Sequence, residues 1–227
     1  MKKIYPSYRQ KLVQKSEEDP IDIILIPEGE PTLSPETSPY GDTFILEKMM
    51  QFYDNIKDEH TLTQAEMITK WLLTYGWPWY TEGEMSLSVK SYVEELSVLY
   101  KNALRLAGAT NPDMLEKAKA LLGEEEMAVT IPEIPMTLTY GDEGFGFSPI
   151  PRSQIERAYF EMAQLATSGR VAKLAWQGMI SPAFCESCGR LFYRNGPRQK
   201  YCERLECQAA RTRKKNKTYY EKKTSLS

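Results

Sequence analysis

The chain has 227 residues, 41% of them hydrophobic and 26% charged, with a formal net charge of −2. That length and composition suit one globular core, or a medium core plus a small appended module. No apolar run reaches the roughly eighteen residues of a membrane-spanning helix, and "MKKIYPSYRQKLVQ" has no apolar segment behind its basic residues, so neither a membrane span nor a secretory signal is expected and the cytoplasm is the default.

In chain order, "IDIILIP" (Ile21 to Pro27) reads as a buried strand. The stretch "PEGEPTLSPETSPYGD" follows, where prolines among Ser, Thr and Glu argue against regular structure. Residues 1–42 are thus expected to form one strand and a Pro-rich loop. From Thr43 the pattern turns helical, with Phe44, Ile45, Met49, Phe52 and Tyr53 at helical spacing. Thr63-x-x-Glu66 matches a capping box, with Leu62 and Met67 as its hydrophobic staple, and opens a helix expected to stop at Gly76. A longer helix is expected from about Leu87 to Ala107, with Val89, Val93, Leu96, Leu99, Tyr100, Ala103 and Leu106 on one stripe. Asn111-Pro112 and Gly123 bracket a shorter helix. "MAVTIPEIPMTLTYGDEGFGFSPI" predicts a hairpin turning at Gly141-Asp142-Glu143-Gly144, and Ser153-x-x-Glu156 a second capping box. The fold class expected is mainly α with a small β-hairpin element (α+β). A mostly helical body would fill 43–180, and a separate module 181–227.

That module holds every cysteine in the chain: Cys185-x2-Cys188-x13-Cys202-x4-Cys207. Two short-spaced pairs supply the four thiolates of a tetrahedral zinc ion when the chain folds back between them. "GRLFYR" and "RQKYC" are expected to be two short strands joined by Asn195-Gly196-Pro197, with the second pair opening the helix "CQAARTRKKNKTYYEKK". Knuckle, hairpin and helix follow the order of a treble-clef zinc finger. Disulfides would need an oxidising compartment and a thioredoxin-like motif a βαβ context; an iron–sulfur cluster can also use four thiolates, but the hairpin-plus-helix layout favours zinc. Four thiolates close the coordination shell, so one structural Zn2+ per chain is expected.

Charge singles out the same module. Residues 185–227 hold 12 Lys+Arg against 4 Glu, leaving 17 Lys+Arg against 27 Asp+Glu for the rest. Arg190, Arg194, Arg198 and Lys200 would stud the finger, and Arg211, Arg213, Lys214, Lys215 and Lys217 the helix. Such a surface suits the phosphates of nucleic acid, duplex DNA above all. An adaptor, in which the finger is only a staple and the tail docks an acidic protein surface, is the alternative. Phe192 and Tyr193 are candidates to stack on a base or to fill the finger's own small core.

Cys-x2-Cys-Gly-Arg-x-Phe, thirteen further residues to Cys202-x4-Cys207, and an Arg/Lys-rich helix resemble the CGNR-type zinc fingers of bacteria. The resemblance covers Cys185–Lys217. It implies a larger helical N-terminal domain and a role in transcriptional regulation, with the body sensing a ligand or binding a partner. After the last cysteine this chain has Gln208-Ala209-Ala210 where that family has Gly-Asn-Arg.

No catalytic motif stands out. His60 reads as an exposed loop residue with no partner for a triad. "GDEGFGF" lacks the Lys-Ser/Thr of a phosphate cradle and reads as a hairpin turn. "YGWPWY" (Tyr75 to Tyr80) reads as a packed helix-to-helix corner, with an aromatic-walled ligand pocket as the alternative.

Overall fold

Alternation decides the first sheet. Ile21, Ile23 and Leu25 are buried while Asp22 and Ile24 between them are half-exposed, the period-two pattern of a strand with one face on a core. The computed structural model describes residues 2–4, 7–14, 16, 20–29, 32–34, 45–75, 85–110, 112–123, 128–133, 136–141, 144–149, 153–167, 181–194, 196 and 198–224. Strand β3 (Asp22–Glu28) is central in a three-stranded antiparallel sheet. On one side lies β2 (Ser7–Val13), in register from Ser7↔Glu28 to Val13↔Asp22; on the other lies β5 (Met85–Ser88), with Leu25 opposite Met85. A second pair joins β1 (Lys2–Ile4) to β4 (Thr32–Ser34).

The single strand expected over 1–42 is therefore corrected to four. Strand β2 escapes a search for apolar runs because Arg9, Gln10 and Lys11 are exposed on an edge strand, where charge protects the unpaired backbone from aggregation. Strand β4 fits between Pro31 and Pro35, since proline punctuates a three-residue pairing without entering it. Residues 35–44 lie outside the described residues.

The remaining described elements are mostly helical: α1 (Ile45–Ile56), α2 (Thr61–Tyr75), α3 (Val89–Thr110), α4 (Pro112–Leu122), α5 (Gln154–Thr167) and α6 (Leu205–Thr224). Two hairpins join them, β6 (Met136–Gly141) with β7 (Gly144–Pro149), and β8 (Ser181–Phe184) with β9 (Leu191–Arg194). Local chemistry sets the helix ends. Ser153 Oγ accepts from the Glu156 N–H at 3.1 Å, capping α5 as the sequence predicts. Proline opens α4, and Gly123 closes it at φ 68°, its N–H bonded to the Lys119 carbonyl at 2.8 Å.

Helix α2 departs from expectation. It begins two residues before Thr63, and the cap is His60, whose Nδ1 accepts from the Leu62 N–H at 3.4 Å while its carbonyl takes the Gln64 N–H. Leu62 is 52% exposed, so the staple does not form there. His60 is a capping residue, and an imidazole acceptor satisfies an orphan N–H much as an asparagine does.

Helix α1 is capped from 115 residues away. Glu161, buried on α5, accepts the Leu46 N–H at 2.7 Å through one oxygen and binds Arg157 Nε at 3.1 Å through the other. Burial raises its pKa, against the lowering effect of those backbone groups and Arg157. Raised above its unfolded value, the carboxyl costs least while protonated, so its contribution weakens as pH climbs from about 4.5 through the folded pKa. Glu161→Ala leaves the buried Leu46 N–H without its acceptor and Arg157, 19% exposed, without its carboxylate. A loss of about 3 kcal/mol is expected in urea denaturation at pH 7.

The chain divides into two compact units, 1–102 with 130–163, and 103–129 with 164–227. This differs from the single boundary expected near residue 180, and residues 168–180 lie outside the described residues. In the first unit, Ile45, Leu46, Met49, Ile68, Leu72, Leu96, Leu99 and Met162 are almost wholly buried with Ile23 and Leu25. Gln154 Oε1 ties two aromatics into that core, accepting from Trp71 Nε1 at 2.6 Å and Tyr92 Oη at 3.2 Å. The second unit contains α4 as well as the cysteines. Among the described residues no helix is long and apolar enough to cross a membrane.

Candidate metal centre and basic helix

The four sulfurs converge because the hairpin closes differently from the sequence-based expectation. Strand β9 pairs backward with β8, from Ser181↔Arg194 to Phe184↔Leu191, and not forward with residues 198–202. Cys185 and Cys188 thereby sit in the tight loop between the two strands. Asn195-Gly196-Pro197 is turn chemistry, and Gln199 N–H does bond the Gly196 carbonyl at 3.1 Å, but the chain leaves that turn without forming a strand. It returns to the loop instead. Glu186 N–H donates to the Lys200 carbonyl at 2.9 Å, and Cys202 N–H donates to Cys185 Sγ at 3.4 Å.

Cys207 arrives on the first turn of α6. The ligand atoms of Cys185, Cys188, Cys202 and Cys207 all lie within 4.8 Å of one another, with Cys188 and Cys202 Sγ 3.9 Å apart. Donors about 2.3 Å from a tetrahedral zinc would be separated by about 3.8 Å, so little adjustment is required. Gly189 makes the loop possible: its φ of 71° is one that a side chain at that position would strain.

The surroundings favour thiolate at Cys185 and oppose it at Cys202 and Cys207. Burial opposes ionisation of Cys185, but the backbone N–H groups of Cys202, Cys188 and Ser187 outweigh it and bring the thiol down to about 6. Burial pushes Cys202 and Cys207 up. Four thiolates this close repel one another unless a cation sits among them, so the donor set fits a metal ion. Beneath the sulfurs is a small core of Ala183 and Phe192, with Tyr201 packed against it. Phe192 and Tyr193 are 2% and 3% exposed, so both belong to the interior and neither is free to stack on a base.

A helix from the same compact unit meets this module. Lys117 of α4 places Nζ 4.1 Å from the centre of the Phe184 ring, a cation–π contact, and the same ammonium lies 3.9 Å from where a Cβ on Gly189 would be. A Cβ at 189 would meet Lys117 only at ordinary contact distance, so the positive φ alone is what a side chain there would strain.

Glu186 organises the charges. Its carboxylate binds Lys200 Nζ at 3.0 Å, Lys214 Nζ at 3.1 Å and the Tyr201 hydroxyl at 3.2 Å. Hydrogen bonds from Lys200 and then Lys214 hold it down at about 2. A depressed carboxyl contributes above its unfolded pKa and loses that contribution as pH falls toward the folded value. The tie between loop and helix therefore persists through mildly acidic pH.

The nine nominated cations do not form one equivalent set. Lys200 and Lys214 share Glu186, while Arg190 and Arg194 are half-buried in the finger. Arg198, Arg211, Arg213, Lys215 and Lys217 are exposed. Lys214 lies seven residues after Cys207 on the face turned to the finger, so Arg213 and Lys215 project about 100° to either side. Every described side chain from Arg211 to Thr218 is exposed.

Two contributors escaped the reading of the sequence. Lys117 had no signal, being one cation on an ordinary helix 68 residues from Cys185. Glu186 had one: it is the only acidic residue between the first two cysteines, in a module dominated by cations. Comparison with family models, curated proteins and solved structures finds no match to this chain.

Proposed function

We propose that the chain is a zinc-binding, nucleic-acid-binding protein that contacts duplex DNA phosphates through its C-terminal finger and basic helix, in the manner of a transcriptional regulator. The supporting observation is a solvent-exposed cationic helix tied by Glu186 to a four-sulfur centre. A loop holding one cysteine pair between two strands, with Cys202 just before and Cys207 within the first turn of a helix, supports a treble-clef reading of the kind the CGNR resemblance implies. Zinc is the metal proposed because four thiolates in a closed tetrahedral shell suit a redox-inert ion with no further coordination demand. Cys185, Cys188, Cys202 and Cys207 would hold it, and its role is to fold the module.

Elemental analysis of protein purified without added metal should find one zinc per chain. Iron as the dominant metal, or a folded finger without metal, overturns the assignment.

Binding is tested by fluorescence anisotropy of a labelled duplex across a salt series. Engagement of about four to six phosphates gives a slope of log K against log salt between about −4 and −5. If the duplex is not bound at low salt while an acidic protein surface is, the adaptor reading replaces this one.

A further inference from the structure

We infer that the helical hairpin α1–α2 carries a binding cleft for a small planar aromatic acid. The cleft has a volume of about 460 Å³, within the range of small-molecule sites. Its walls include Phe52, Trp71 and Tyr75, with Lys48, Asn55 and Lys70 beside them. The three rings form a ladder of contacts: Phe52 stacks on Trp71 with centroids 4.5 Å apart and planes 14° apart, and Tyr75 meets Trp71 at 4.2 Å with the planes tilted by 42°. The ladder is fixed from behind by the 2.6 Å bond from Trp71 Nε1 to Gln154, so the aromatic wall is preorganised.

Charge supplies the second half of the argument. Among the described residues no acidic side chain lines the cleft, although residues 1–184 carry a large excess of carboxylates. Lys48 and Lys70 pair with no carboxylate among the described residues, and both reach the cleft. Two ammonium groups with no carboxylate partner among the described residues, beside an aromatic wall, suit a flat π-system bearing an anionic head. The ring would pack on the half-buried Tyr75 and the accessible edges of Phe52 and Trp71, the head would bind the lysines, and Asn55 adds an amide able to donate or accept. A larger cleft in the same unit, about 880 Å³, has His60, Lys90 and Glu94 in its lining and shows no such selection of charge or shape. Tyr75 is also the one described residue of the aromatic run "YGWPWY", for which a pocket was the alternative reading.

The head group is a carboxylate or a phosphate monoester, both of which two lysines accommodate. Calorimetric titration of the full chain with 1-naphthoate, 1-naphthyl phosphate and the neutral 1-naphthamide separates the cases. At least one acid is expected to bind with a Kd of about 0.1 mM, and the amide about tenfold more weakly. The tighter of the two acids identifies the head group. The double substitution Lys48→Gln with Lys70→Gln should weaken the acid about tenfold and leave the amide unchanged. Lys48 is half-buried and Lys70 exposed, so the fold tolerates both changes, and an unaltered circular dichroism spectrum verifies this. The inference is overturned if neither acid saturates below about 2 mM, if the amide binds as tightly as the acids, or if the lysine variant binds the acid unchanged. None of these outcomes depends on whether the chain binds DNA.

Discussion

Cys202→Ser is expected to unfold the finger and abolish stoichiometric metal binding. Cys202 has its Sγ within the four-sulfur cluster and its N–H on Cys185 Sγ, in the middle of the module's small core. That core is too small to hold residues 181–207 together alone, so metal binding supplies the folding free energy, on the order of 10 kcal/mol in zinc-finger peptides. Hydrogen exchange read by mass spectrometry should show protection lost over Leu191–Arg194 and over the first turns of α6. A chelator should reproduce that pattern in the wild-type chain. The effect should reach α4 weakly, because removing the partner of Lys117 costs one exposed cation–π contact of about 0.5–1 kcal/mol. Strand β3 belongs to the other compact unit and should keep its protection. Full protection over 181–207 in metal-free Cys202→Ser would show that packing, not the metal, holds the module.

Where the sequence was legible, the chemistry was local. Cysteine spacing located the four-sulfur cluster, because thiols three or five residues apart are close in any compact conformation. Ser153, Pro112 and Gly123 marked helix ends for the same reason, each acting within one turn of itself. What stayed hidden depends on distance. No local pattern announces that Glu161 caps a helix 115 residues earlier, or that Lys117 reaches Phe184. Strand pairing failed in both directions. Strand β2 is polar because its backbone, not its side chains, joins the sheet, and a good turn at Asn195-Gly196-Pro197 pointed to a forward partner when the actual partner of β9 lies behind it. At the finger the cation count was legible, but not its division between cations spent on Glu186 and those left to solvent.

That division decides which residues to change in a test of the basic helix. Lys214 already has a carboxylate partner and helps hold α6 to the loop, so removing it mixes lost charge with lost positioning. Arg211, Arg213 and Lys215 are exposed; Arg211 makes a 3.4 Å bond to neutral Gln208, and none of the three is paired with a carboxylate among the described residues. Changing these three to alanine should leave the finger folded, since alanine favours helix and no buried contact is lost. Each neutralised phosphate releases condensed counterion, so three lost contacts should flatten the salt slope by about two to three units and weaken binding about 100-fold near 0.1 M salt. The loss should be equal on unrelated duplex sequences, because phosphate contacts carry no base information. Glu186→Gln supplies the complementary result. It frees Lys200 and Lys214 and removes one negative charge, so binding at low salt should tighten and the slope steepen by about one to two units. If the triple variant binds with the wild-type affinity and slope, α6 is not the contact surface. The cationic tail then serves a protein partner instead.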